Sequence, residues 1–208
     1  MSIRVILAGL VATCIGASAQ GATLGLMTSA PTLGASDAVV EYLEFGDEGD
    51  LSAFGAVVDA AGLAAPTGLA EIDFGIGFSL DDPEADAAGG FSIFDDDGLY
   101  LTGDLIALGF RAYAATSSII ELHFGSLSGH GTSEWTETVL MTIVLPGIPD
   151  NPFDHLFDGD VLDASIGLFA VNGYTPPPEI PLPASAFLLL AGVAGLSVFT
   201  RCRRGNSS

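Results

Sequence analysis

The sequence predicts a mainly β protein, a jelly-roll-like β-sandwich held between an N-terminal signal peptide and a single C-terminal transmembrane helix. Three observations lead there. Residues 71–80 alternate apolar and polar side chains almost without fault. Turn residues divide the middle of the chain into roughly eight short strand-like runs. The apolar excess, a mean hydropathy of +0.53, is concentrated at the two ends, while the middle carries the acid.

The first 19 residues have the layout of a secretory signal: Arg4, an apolar run over Val5–Ala12, and a small-x-small site at Ala17-Ser18-Ala19 ahead of Gln20. The apolar run is too short to span a bilayer as a helix. Cys14 offers a lipoprotein reading through Val11-Ala12-Thr13-Cys14, but threonine fits poorly before the cysteine and apolar residues continue past it.

Residues 20–174 form the predicted ectodomain. Thr23–Met27 and Val39–Phe45 are its first strand-like runs. Leu51–Ala65 is alanine-rich and predicts one short helix, limited by Gly55, Gly62 and Pro66. Glu71–Leu80 sets Ile72, Phe74, Ile76, Phe78 and Leu80 on one face and Glu71, Asp73, Gly75, Gly77 and Ser79 on the other, a half-buried strand. Phe91–Phe94 and Leu99–Phe110 flank Asp95-Asp96-Asp97-Gly98, whose Asp-Gly end suits a tight hairpin. Ile120–Phe124 and an alternating run from Trp135 to Leu145 follow, and Asp158-Gly159 repeats the turn device before Val161–Val171. Short alternating strands separated by turns are the pattern of a sandwich. Both cysteines, Cys14 and Cys202, lie in the apolar ends, so the ectodomain must hold together without a disulfide.

All 26 acidic residues fall between Asp37 and Glu179, against one basic residue, Arg111, in the same stretch. That balance excludes nucleic acid as a partner, because phosphate recognition runs on lysine and arginine. It describes a solvated, self-repelling surface, with binding of a hard cation such as calcium as the alternative.

Thr175-Pro176-Pro177-Pro178-Glu179 favours a stiff, extended spacer. Beyond it, Ile180–Thr200 contains no charged residue, and residues 184–200 give a 17-residue helix. Such a helix is about 25 Å long, slightly short of a ~30 Å hydrocarbon core. Arg201, Arg203 and Arg204 close the segment, and the positive-inside rule keeps them cytoplasmic, with everything before Ile180 outside. Pro181-Leu182-Pro183-Ala184, then an apolar helix, then a terminal arginine cluster resembles the VPLPA variant of PEP-CTERM sorting signals, with Ile180 in place of the leading valine. The resemblance covers about the last 29 residues of the sequence. It implies processing near this motif by an exosortase, a membrane-embedded transpeptidase-like enzyme. Residues 175–183 are then linker and sorting motif, 184–200 the membrane helix and 201–208 the cytoplasmic tail. A permanent anchor is the simpler alternative. The stretches Tyr42–Asp104 and Ile120–Asp163 are also similar to ectodomains often found with this signal, a likeness that implies no activity.

Candidate chemistry is sparse. Asp95-x-Asp97-Gly98 is a fragment of a calcium loop, without the third spaced ligand or the downstream glutamate. Asp158, Asp160 and Asp163, and Asp81, Asp82, Glu84 and Asp86, are acidic clusters of the same kind. His123, His130 and His155 show no zinc spacing, and His123 is expected to be exposed. No nucleophile elbow, Ser-x-x-Lys or Walker pattern occurs, so no catalytic residue is expected and the chain does not read as an enzyme. Trp135 and the tyrosines could stack on sugar, although a lone tryptophan is more often a core residue. The sequence thus leads to an exported envelope or matrix protein with a structural or interaction role. A calcium- or polysaccharide-binding surface module is the alternative, and a hydrolase of unknown substrate a further one.

Overall fold

A computed structural model describes residues 24–62 and 66–174. The expected signal-cleavage residues Ala17, Ala19 and Gln20, the expected sorting motif Pro181, Leu182, Pro183 and Ala184, the expected membrane helix and Arg201, Arg203 and Arg204 lie outside the described residues. Among the described residues no helix is long and apolar enough to cross a membrane.

The described chain is built of nine strands: β1 (Leu26–Phe45), β2 (Glu48–Ala56), β3 (Asp59–Ala61), β4 (Glu71–Ser79), β5 (Ala88–Asp95), β6 (Gly98–Ala114), β7 (Ser117–Ser128), β8 (Val139–Pro146) and β9 (Asp160–Tyr174). Each pairs antiparallel with its neighbours in the order β2-β4-β5-β6-β7-β8-β9-β1, and β1 pairs back onto β2. The expected sandwich is therefore corrected to a closed eight-stranded antiparallel barrel, with β3 as a short extra strand on β1. The reason is connectivity: β1 to β2, β5 to β6 and β6 to β7 are joined through only two residues each, which holds successive strands side by side. The last strand then meets the first, leaving no long free edge.

Alternation decides which face is inside. Ile72, Phe74, Ile76 and Phe78 on β4 are buried, while Glu71, Asp73, Gly75 and Gly77 face out. Leu51, Ile93, Leu101, Ile120, Leu122, Phe124, Met141 and Ile143 complete an apolar interior, and Phe91 meets Phe124 edge-on at 4.8 Å. Eight strands enclose a space just wide enough for side chains to fill. The outer wall carries Glu41, Asp73 and Asp104, the reverse of a lipid-embedded barrel.

Two long strands change phase midway. On β1, Leu33 and Ala35 point inward, and after a bulge between Ala35 and Ala38 the inward residues become Ala38, Val40 and Tyr42. Asp37 takes φ 57° at that bulge. The inserted residue flips the parity, so one strand of 20 residues reads in sequence as two. β6 does the same, with Leu101 inward before the Leu105/Ala107 shift and Leu108 and Phe110 after it. The expected helix over Leu51–Ala65 is also corrected. Leu51 and Ala53 alternate inward on β2, paired with β1 on one side and β4 on the other, and that pairing overrides alanine's helical preference.

One end of the barrel is covered by the loop 147–159. Its short 3-10 turn Pro152–Asp154 is capped by Asn151 Oδ1, which accepts from Phe153 N at 3.1 Å. Phe153 then packs against Phe78 at 4.7 Å and Phe110 at 5.5 Å, with Ile148 and Leu156 buried beside it. At the opposite end Trp135, only 8% exposed, joins the core, as one of the two readings of that residue anticipates.

Candidate functional site

The acidic turn between β5 and β6 is the densest polar junction of the barrel. Two other loops converge on it. Thr67, from the segment after β3, donates its N–H at 3.1 Å and its hydroxyl at 3.1 Å to Asp95 Oδ2. Asp97 N donates to Asp95 Oδ1 at 3.0 Å, and His130 Nε2, from the loop after β7, lies 3.0 Å from the same oxygen. Asp96 N closes the ring by donating to Thr67 O at 3.1 Å. The Asp95 side chain has no exposed surface, although it sits in a shallow position where the donors themselves provide the cover. Burial alone would raise its pKa. The His130 contact and then the Thr67 and Asp97 donors outweigh that and hold the carboxyl below its ordinary value.

These bonds bear directly on the cation reading of Asp95 and Asp97. A carboxylate offers about four lone-pair directions, and Asp95 already meets four donor atoms. A cation at Asp95 would have to displace them. Asp97 Oδ2 stands 2.8 Å from the Thr67 hydroxyl, which has one proton to share between the two aspartates. Gly68 fits this junction for a steric reason: its φ is +67°, and a Cβ there would run into the Asp96 carboxylate.

In the other acidic clusters, Asp158 and Asp160 serve as turn acceptors. Asp158 Oδ1 accepts from Glu44 N at 3.0 Å and Asp160 Oδ2 from Phe157 N at 2.9 Å, both at the end covered by loop 147–159. Beside them the buried Tyr42 hydroxyl donates to Glu44 Oε1 at 3.1 Å. Its pKa is pushed up by burial first and by the Glu44 and Asp158 charges after it. Asp86 lines an open groove with Asp47 and Glu48, while Asp81 and Asp82 sit in the loop between β4 and β5. Asp163 lies on the outer wall of β9, paired with Val39. Among the described residues no three His, Cys, Asp or Glu side chains converge as a metal site.

His123 differs from the expectation of an exposed histidine. It does face outward, opposite Leu122 and Phe124, but it is half-buried, its Nε2 has no hydrogen-bond partner, and burial pushes its pKa down. Spacing alone did not reveal two other polar features. Arg111 Nε lies 2.8 Å from Glu121 Oε1 on the outer wall, and Glu121 also accepts from Leu24 N at 2.9 Å. Glu121 is only 6% exposed, so this pair fastens the start of β1 to β7 and occupies the barrel's one arginine. Tyr100 and Trp135 are both buried, and burial raises the Tyr100 pKa. The Trp135 N–H is near enough to oppose that rise but closes no hydrogen bond of normal geometry.

Comparison with family models, with curated proteins and with solved structures gives no match.

Proposed function

We propose that this chain is an exported, exosortase-processed component of the cell envelope or extracellular matrix, with a structural or interaction role and no catalysis. The observation that carries the proposal is the tail: Pro181-Leu182-Pro183-Ala184, an uncharged stretch to Thr200, and Arg201, Arg203 and Arg204 in that order. Two properties of the barrel are in keeping with it. Its interior is filled with apolar side chains, which suits a rigid body displayed to partners more than a container. Its densest carboxylate cluster is spent on joining loops, with His130, Thr67 and Asp97 bonded to Asp95.

The test is the intact mass and fractionation of the chain recovered from its own envelope. Processing predicts a mature chain beginning at Gln20 and ending near the motif. Pro181→Ala with Pro183→Ala, or truncation after Glu179, should then shift mass or retention. Identical mass and location in wild type and variants would replace the sorting reading with a permanent anchor.

A further inference from the structure

Outward positions along β4 are glycine or polar, whereas the sector made by β9, β1 and β2 exposes apolar side chains, as the Phe94–Leu99 pair of β5 and β6 also does. Val39 and Phe54 are direct cross-strand partners on β1 and β2, 46% and 51% exposed. Val161 on β9, 62% exposed, pairs with Glu41 on the same outer face. Between Val39 and Phe54 lies a shallow depression of about 210 Å³, lined also by Glu41, Ser52, Ala53 and Asp73. Asp73 is the β4 partner of Phe54, and Asp163 the β9 partner of Val39, so carboxylates border the apolar floor from both sides. Neither the Glu41 nor the Asp73 side chain has an ion-pair or hydrogen-bond partner among the described residues. Arg111, on β6, stands two strands around the wall from Asp73, three from Phe54 and four from Val39, and is already paired with Glu121.

The barrel supplies no cation to this seat, and a second copy would bring its own carboxylates to it. An apolar floor with one aromatic ring and carboxylates at the rim suits a side chain with an aliphatic stem and a charged head. We propose that the depression seats a lysine or arginine side chain of a basic partner protein, its stem on Val39 and Phe54 and its head between Glu41 and Asp73. This deepens the interaction role proposed above and rests on it only for where the partner is met. Binding to purified chain and processing in the envelope fail independently.

The experiment titrates a capped peptide of alternating lysine and leucine into the ¹⁵N-labelled full chain in non-ionic detergent, following amide shifts and calorimetry. The expected shifts centre on Val39, Phe54 and Asp73. Phe54→Ser with Val39→Thr, which leaves net charge unchanged, should weaken binding about fivefold, and Glu41→Gln with Asp73→Asn by a similar factor. Asp81→Asn with Asp82→Asn removes the same charge from a distant loop and should weaken it less than about twofold. All six positions are on the surface, and an unchanged melting temperature verifies that each variant is folded. Equal loss in the distant-loop variant, shifts spread over the whole acidic surface, or no loss in the Phe54 variant would each overturn the seat. A dimer in sedimentation that the Phe54 variant dissolves would overturn it in favour of self-association.

Discussion

Asp95 fastens three loops through one carboxylate, and its pH behaviour follows from that. Its folded-state pKa is depressed, so its contribution is present above the unfolded value of about 3.9 and fades as pH falls through the folded value. Asp95→Asn should cost about 1–2 kcal/mol near pH 7, where an amide NH₂ must face an N–H donor, and progressively less toward about pH 2. Urea midpoints of both proteins at several pH values measure this, and a difference that stays constant with pH would refute it. The Arg111–Glu121 pair makes a second residue-scale prediction. Arg111→Met leaves Glu121, 6% exposed, facing only Leu24 N, and should destabilise by about 2 kcal/mol. Adding Glu121→Leu should recover most of the loss, measured in the same denaturation series. The acid at Asp95 was legible in the sequence, but its role was not. Thr67 and His130 are 28 and 35 residues away, and no local spacing links them to it.

At the scale of elements, legibility depended on whether the phase of alternation stays constant. β4 keeps one phase from Glu71 to Ser79, and the faces foreseen for it are the faces it has. β1 and β6 each insert a bulge, so their apolar positions switch parity and a period-two reading breaks them or blurs their ends. β2 was harder still, because alanine and glycine on an alternating strand carry little period of their own, and only the pairing with β1 and β4 reveals it. The covering loop 147–159 tests whether such long-range contacts matter energetically. Phe153 is partly buried and touches Phe78 and Phe110, so Phe153→Ala should cost about 2 kcal/mol without changing the denaturant slope. Asn151→Ala removes only the cap of that turn and should cost about 1 kcal/mol or less. A loss for Asn151→Ala equal to that for Phe153→Ala would mean that the loop is held by its own turn and not by the rings.

For the whole molecule, mainly β was readable and the closure was not. A sandwich and a barrel both bury one face of every strand, so periodicity is identical in the two. They differ in whether β1 pairs with both β2 and β9, a contact between the first and last strands. Of the two-residue connections that favour a meander over the crossovers of a jelly roll, the sequence marks only β5–β6, through its Asp-Gly turn, while those at β1–β2 and β6–β7 emerge from the pairing. Closure also sets how charge acts. Gln20–Glu179 holds 26 carboxylates and one arginine, and the closed wall compresses nearly all of them onto one small surface. Their mutual repulsion opposes folding and is screened by salt. Raising sodium chloride from about 10 mM to about 500 mM should therefore raise the melting temperature by several degrees, opposite to the behaviour of a fold held by ion pairs. Divalent cations separate screening from a specific site. With the Asp95 oxygens taken up by Thr67, Asp97 and His130, calcium and magnesium at equal millimolar concentration should raise the melting temperature equally. A larger shift with calcium, reduced by Asp97→Asn, would instead assign a calcium site to the β5–β6 turn.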